Sequence, residues 1–491
     1  MRIHRLTVVA LLGWFAASPG AQDARSVVDS LARTLGAANV RSLQYSGSGS
    51  VYGFGQSYEP GGPWVKFDLR TYTFVGDYER QASREEQVRT YLDPPERGGT
   101  AVFIGELRQT AFLNGDVAWN AAPDGGAVPA PLALEARQFQ LLISPHGFVR
   151  AAMAAAPTVA TRTIDGRRLT VVSFMWKGKF RVNGYVNGQN LLERVETWMP
   201  EPLLGDMLVE NVFSEYRDVA GMKFPGRIVQ RQGGFPVLDV AVGDVQPNVT
   251  AALDVPEGAR RPAPPVARVE TVKVADGVWL LVASVGPNSL AVEFSDYVAV
   301  VEAPFSEERS LAVIGEVTKL VPAKPIRYLI NTHHHFDHSS GIRPFVADGV
   351  TIITHRINTD FYNRVLRLPR TLSPDRLSAN PRPPRFETLT DKYVLSDGNR
   401  SLELHRLEGN THNPGLLLVY LPKERLLHQA DAFTAPPPGA PLPPAMNMVN
   451  ARNLNLAANI DRLRLQVDRI TAAHGRVMPI GDLWKAIARA N

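Results

Sequence analysis

The sequence predicts an α+β and α/β multidomain protein, with a mainly antiparallel β domain in front and an α/β domain behind. Three observations carry this. A chain of 491 residues exceeds what one ordinary hydrophobic core supports. Up to about Pro247 the text reads as short alternating strands broken by Gly and Pro, the grammar of half-buried antiparallel sheet. After about Arg268 it interleaves continuous apolar runs with helix-like stretches, the pattern of an α/β fold.

The chain opens MRIHRLTVVALLGWFAASPGA. Arg2 and Arg5 precede an apolar run from Leu6 to Ala17, and small residues follow. That order is expected of a secretory signal peptide over 1–21, with a mature chain starting near Gln22 and a periplasmic or secreted location. The apolar run is shorter than the roughly 20 residues a membrane-spanning helix needs, so no stable membrane anchor is expected after cleavage. Cysteine is absent, which excludes disulfides, thiolate metal sites, a catalytic thiol and a lipid-modified Cys. The formal charge of +5 falls to +3 when Arg2 and Arg5 leave. With no compact basic patch interleaved with aromatics, nucleic acid is not an expected partner.

The β-rich domain is assigned to 22–253. In FRVNGYVNGQNLLERVETW, Asn187-Gly188 supplies a positive-φ turn between two strand-like runs, so a hairpin is expected there. In VLDVAVGDV, Leu238, Val240 and Val242 alternate with Asp239, Ala241 and Gly243, as a strand with one buried face requires. GMKFPG at 221–226 is one of several breaks at strand-length spacing. His146, in SPHG, reads as a loop histidine. No dense set of acids, histidines or nucleophile motifs marks this part as a site. The pattern from about Ala37 to Asn248 resembles the curved antiparallel sheets of periplasmic lipoprotein-carrier proteins.

DVPEGARRPAPPVAR, 254–268, is a linker by composition, since proline cannot donate to a sheet ladder and favours extended chain. The domain at 269–491 follows. VWLLVAS, DYVAVVEAP, IRYLINT and GVTIITH are its buried-strand candidates. SEERSLAVIGEVTKL suits a helix with Ser306 as N-cap and Glu307 and Glu308 in the first turn, where the helix dipole favours acids. Leu456, Ile460, Leu463 and Val467 recur on one helical face.

Nine of the 11 histidines lie after the linker, and four of them fall within the six positions 333–338, in THHHFDH. His333, His335, Asp337 and His338 form H-x-H-x-D-H directly after the strand IRYLINT, at a strand's carboxyl end, where α/β sheets place ligand sites. Neutral imidazole with carboxylate binds a divalent ion such as zinc near neutral pH. Alternation in an extended turn can send His333 and His335 to one point and Asp337 and His338 to a second. Further ligands are offered at later strand ends: His412 in GNTHNPG, Asp431 in RLLHQADAF and His474 in ITAAHGRV. His334 is expected to point away from the metals, and His355, His405 and His428 to satisfy local hydrogen bonds.

The order THHHFDH, GNTHNPG, QAD, AAHG resembles the metallo-β-lactamase-fold hydrolase superfamily over roughly 268–491. The resemblance implies an αββα sandwich with a dinuclear site at one edge of its β layers, usually zinc, with iron or manganese as alternatives. It implies one metal held by His333, His335 and His412, a second by Asp337, His338 and His474, and Asp431 bridging them. Two departures bear on substrate: Glu302 stands where the family usually has Asp, and Ala430 where it has Gly. Asp431, where true β-lactamases of this fold carry Cys or Ser, points to the thioesterase, lactonase and phosphodiesterase branches. His335, where the diiron flavoproteins carry an acid, points away from that redox branch; a mononuclear iron oxygenase stays open.

The expected activity is metal-dependent hydrolysis of an ester, thioester, lactone, amide or phosphodiester by a metal-bridging hydroxide. Asp337 would act as the catalytic residue that orients this hydroxide, and no G-x-S-x-G nucleophile motif is present. The alternatives are a β-lactam hydrolase and a ligand-binding protein with a vestigial metal domain. Two inserted stretches could shape a pocket for a small-molecule substrate: 356–385, with seven arginines, and the proline-rich 435–447. The arginines suggest an anionic or amphipathic substrate.

Overall fold

The computed structural model describes residues 19–99, 103, 105–261, 267–433 and 448–488. The expected signal peptide therefore lies almost wholly outside the described residues, as do 262–266 of the linker and the rim at 435–447.

Alternating side chains between Ser42 and Pro247 build one large antiparallel sheet. Among the described residues it has thirteen strands. The first strand, Ser42–Tyr52, pairs with the last, Phe235–Pro247, in the middle of the sheet. One meander, 66–129, extends from the first strand, and a second, 158–232, extends from the last. Leu238, Val240 and Val242 are buried as their alternation predicts. Helices Pro19–Leu35, Leu134–Leu142 and Pro145–Ala154 lie against the sheet. Val28, Leu31, Leu35, Phe139 and Phe148 join the strand residues in one core.

Three local expectations are corrected here. The hairpin forms between Phe180–Val186 and Leu192–Glu201, but its positive-φ residue is Asn190, at 55°. The Asn187 carboxamide oxygen accepts from the backbone N–H of Gln189 and Leu191, and that local bond shapes a five-residue loop. His146 is fully buried in the first turn of helix Pro145–Ala154, its Nε2 3.0 Å from the Leu35 carbonyl; burial pushes its pKa down to about 4. The first half of the linker is docked rather than free. Glu257–Arg260 makes a 3₁₀ turn, and the Asp254 carboxylate accepts from Arg80 at 2.5 Å.

The second region stacks two sheets. Seven strands run in sequence order from Val269–Ala275 to Arg385–Leu389, and the last four are parallel. Six strands from Lys392–Ser396 to Met478–Pro479 form the other sheet. Val278, Leu280, Ile330 and Ile353 meet Leu402, Leu417, Val419 and Leu426 between them. On one outer face pack Glu307–Leu320, Ile342–Ala347 and Thr359–Val365; on the other pack Met448–Leu463 and Ile480–Ala486. The result is helix, sheet, sheet, helix, the αββα order. Ser306 caps the first of these helices by accepting from the Arg309 N–H. The late helix ends at Leu463, and Arg464 adopts φ 53°, so Val467 reaches the same core from the following loop rather than from the helix. Among the described residues, no helix is long and apolar enough to cross a membrane.

The two parts share a packed boundary. Leu203, in the turn between strands Leu192–Glu201 and Gly205–Ser214, joins the core beneath the seven-stranded sheet. Arg370 donates to the carbonyls of Glu201 and Pro202, and Thr371 hydrogen-bonds Asp206. Part of the arginine-rich insertion thus serves docking between the two parts. Burial pushes the Glu201 carboxyl up to about 6, against backbone N–H bonds and the Arg370 charge that pull it down. A raised folded-state value contributes stability that is full below the ordinary 4.5 and is lost as pH rises through about 6. Glu201→Gln keeps an oxygen for the Leu203 and Leu204 N–H groups without the buried charge. It is expected to remove about 2 kcal/mol of the stability drop between pH 4.5 and 7, read from denaturant midpoints of both proteins at the two pH values. Equal drops would contradict this assignment.

Candidate metal centre

The candidate ligands sit in loops beside strand ends, where the backbone leaves the sheet and side chains can converge. Strand Ile326–Ile330 ends immediately before Asn331. His333 and His335 follow in extended chain, and Asp337 and His338 lie on a single helical turn, Phe336–Ser339. The expected loop is therefore half helix, which turns Asp337 and His338 away from the first pair. His412 precedes strand Leu417–Leu421, Asp431 follows Leu426–Gln429, and His474 follows Arg469–Ala472.

The structure brings all seven predicted side chains together. His333 Nε2 is 3.0 Å from His335 Nδ1 and 3.2 Å from His412 Nε2. His338 Nε2 is 3.0 Å from His474 Nε2, 2.8 Å from Asp431 Oδ2 and 3.3 Å from Asp337 Oδ2. Asp431 Oδ2 also lies 3.4 Å from His333 Nε2 and 3.6 Å from His412 Nε2, and its Oδ1 is 3.6 Å from His474 Nε2. It stands between the two groups of imidazoles. His334 is turned away: Ser57 Oγ and Asn413 Nδ2 hold its two ring nitrogens at 3.1 and 2.8 Å. His355 and His405 are paired locally, with the Thr390 carbonyl and Glu403. His428 Nδ1 meets Thr471, while its Nε2 is buried without a hydrogen bond.

The hydrogen bonds fix which nitrogens carry lone pairs. Thr332 Oγ1 donates to the buried Glu302 carboxylate, so it accepts from the His333 Nδ1–H, 3.0 Å away. His335 Nε2 lies 2.8 Å from the Ser57 carbonyl, which can only accept. That leaves His333 Nε2 and His335 Nδ1 as lone pairs facing each other at 3.0 Å. Burial holds the His333 and His412 pKa well below the ordinary value and pushes His335 down to about 4. Facing lone pairs on neutral, buried imidazoles repel each other, and a cation between them removes the repulsion. The donor set therefore fits a divalent ion. Asp431 Oδ2, buried among the His333, His338 and His412 rings, is an acceptor likewise suited to a cation.

The opposite balance holds around His338. Burial favours its neutral form, yet the charges of Asp337, Asp431 and Glu302 hold its pKa well above the ordinary value. Those three acids collect positive charge at this spot. Glu302, at φ 70°, directs Oε2 to 3.5 Å from His338 Nδ1. One carboxylate thus supports both halves of the cluster, through Thr332 and through His338.

Sequence reasoning did not find three contributors. Gln56 and Ser57 reach the cluster from the N-terminal sheet. Arg452 donates to the Gly98 carbonyl at 3.3 Å, and its charge acts on Asp431. The only signal for Gln56 and Ser57 was that 53–62 is a Gly-rich loop, and nothing signalled Arg452.

Parts of the chain are similar to known proteins. The family model of the metallo-beta-lactamase superfamily matches residues 244–474. A relative from Nocardioides sp. (strain JS1661), the 2,4-dinitroanisole O-demethylase subunit alpha, is 27% identical over 172 residues, 34% of this chain. The match spans about half of that relative's length, 47%. Similar solved structures include a metallo-beta-lactamase from Pontibacter korlensis, 15% identical over 45% of this chain and 98% of its own, with TM-score 0.35. Another is the metallo-beta-lactamase FIM-1 from Pseudomonas aeruginosa, 18% identical over 45% of this chain and 93% of its own, with TM-score 0.34. The C-terminal region of the chain, with its αββα layers and its clustered histidines, has the metallo-beta-lactamase fold and matches that superfamily's model over residues 244–474.

Proposed function

We propose that the protein is an exported hydrolase with two divalent ions, zinc being the expected metal, acting on an ester, thioester, lactone, amide or phosphodiester. Its β-rich part would be a separate domain that ends near 253. The observation that carries this reading is the set of facing imidazole lone pairs with Asp431 between the two groups. His333, His335 and His412 would hold one ion; Asp337, His338 and His474 the other; Asp431 would touch both. When bound, such a pair would supply a water whose pKa is lowered towards about 7, and positive charge for a developing oxyanion.

The chain's own groups do the rest. Burial would raise the Asp337 carboxyl, but His338 and His474 hold it well below the usual carboxylate range. It is therefore an acceptor at neutral pH and can orient an attacking water through Oδ2. Its Oδ1 is occupied by the Gln56 amide at 2.8 Å, so the carboxylate cannot swing freely. Full burial of His333 and His335, and near-full burial of His412, excludes bulk water and strengthens each electrostatic contact.

The test is a hydrolysis panel of esters, thioesters, lactones, phosphodiesters and β-lactams, with 2,4-dinitroanisole added because of the relative's name. Turnover of at least one class, lost on chelation and restored by zinc, is expected. Turnover that survives complete removal of metal would refute the reading. A β-lactam as the preferred substrate would move it to that alternative.

A further inference from the structure

The N-terminal sheet reaches into the histidine cluster through the loop between strands Ser42–Tyr52 and Lys66–Asp77. Its neck is closed by the Gly53 N–H donating to the Val65 carbonyl at 2.8 Å. Its tip is anchored by aromatic packing: Phe54 lies 4.6 Å from Trp64 and 5.3 Å from Phe336, ring centre to ring centre. Phe336 stands between His335 and Asp337 in the chain, so this packing seats the loop on the segment that bears four of the seven candidate ligands.

Two polar contacts are aimed at those ligands. The Ser57 carbonyl takes the His335 Nε2–H at 2.8 Å and leaves Nδ1 facing His333. The Gln56 amide donates to Asp337 Oδ1 at 2.8 Å and leaves Oδ2 facing His474 and His338, at 3.1 and 3.3 Å. Outer partners of this kind fix the tautomer and orientation of ligating groups. Gln56 is suited to it, being a neutral donor that neither repels a cation nor competes for one. The fit is close enough to demand glycine at two places. A Cβ on Gly55, at φ 72°, would lie 2.4 Å from Phe336 Cγ; one on Gly99 would lie 2.1 Å from Gln56 Oε1 and 2.4 Å from His335 Cε1. Gly99 is bound to the loop by its N–H, which donates to the Gln56 carbonyl at 3.1 Å.

We propose that this loop is a working part of the metal centre. Gln56 is a positioning residue for the ion held by Asp337, His338 and His474, and the Ser57 carbonyl sets His335 for the other. The N-terminal sheet thereby shapes metal binding in the C-terminal region across the boundary between them. This rests on the two-ion reading above.

The test titrates Co²⁺ into chelator-stripped full-length protein, wild type and Gln56→Met, following ion affinities and the cobalt absorption bands, with melting of the metal-free proteins alongside. Gln56→Met keeps the length of the side chain and removes the donor. The expected result is one ion bound within about threefold of wild type and the other weakened about 10–100-fold. Its absorption band would be altered, and the metal-free melting temperature unchanged. Should that variant not fold, Gln56→Asn, too short to reach Asp337, carries the same expectation. Two ions bound as in wild type would overturn the inference alone. So would equal weakening of both ions with a lower metal-free melting temperature, because the loop would then only support the fold. A wild-type protein that takes up no cobalt would overturn it together with the two-ion reading.

Discussion

Asp431→Ala is expected to lower turnover by about a thousand-fold or more, the upper range for removing one group that stabilises charge in a reacting centre. The size of the effect follows from position. Asp431 Oδ2 lies within 3.6 Å of ring nitrogens on three histidines, His333, His338 and His412, and Oδ1 lies 3.6 Å from a fourth, His474. Its carboxyl is held far below the usual range: burial opposes ionisation, but His338 and His474 outweigh it. On the two-ion proposal, removing it takes a charge shared by both positions, so the variant should retain at most one ion. Asp431→Asn keeps the shape and loses the charge, and should fail nearly as badly. Turnover within about tenfold of wild type in both variants, measured with the best substrate of the panel, would remove Asp431 from the centre.

Glu302→Leu should weaken both ions together, by about 10–100-fold each, because this one buried carboxylate supports both halves. It accepts from Thr332 Oγ1, which orients His333, and its Oε2 faces His338 Nδ1 at 3.5 Å. Glu302→Asp is one methylene shorter. From the same φ of 70° it should satisfy one partner and not both, so that only one ion is weakened. Competition with a metal-binding dye separates these patterns. A Glu302→Leu protein with unchanged affinity for both ions would show that Thr332 and His338 are oriented by other means.

The fold of the C-terminal region was legible because its apolar runs are strand-length and its motifs sit at strand ends. Backbone geometry converts that order directly into a cluster. The seven candidate ligands were readable for the same reason: H-x-H-x-D-H places four of them within six residues, and strand order places the rest. Local conformation was less readable. Asn190 rather than Gly188 takes the positive φ because the Asn187 side chain captures two backbone N–H groups, and nothing in the dipeptide signals that. Val467 keeps the helical spacing beyond the helix because the loop after Arg464 returns it to the same core. Gln56 was invisible for a different reason. Its bond to Asp337 joins residues 281 positions apart, and an isolated Gln in a Gly-rich loop carries no periodicity or motif. Contacts made across a boundary between sheets depend on tertiary packing, and the local sequence does not encode them. Within the arginine-rich insertion, Arg370 and Arg376 are engaged with carbonyls and carboxylates of the protein itself, pairings that composition does not signal.

The central claim is that imidazoles and carboxylates from four separate segments converge in order to hold cations. Elemental analysis of the full-length protein, purified without chelator and dialysed against metal-free buffer, tests it most directly. About two equivalents of zinc or another divalent transition metal per chain are predicted. Protein that is folded yet holds fewer than about 0.1 equivalents, and takes up none when zinc is supplied, would contradict the account.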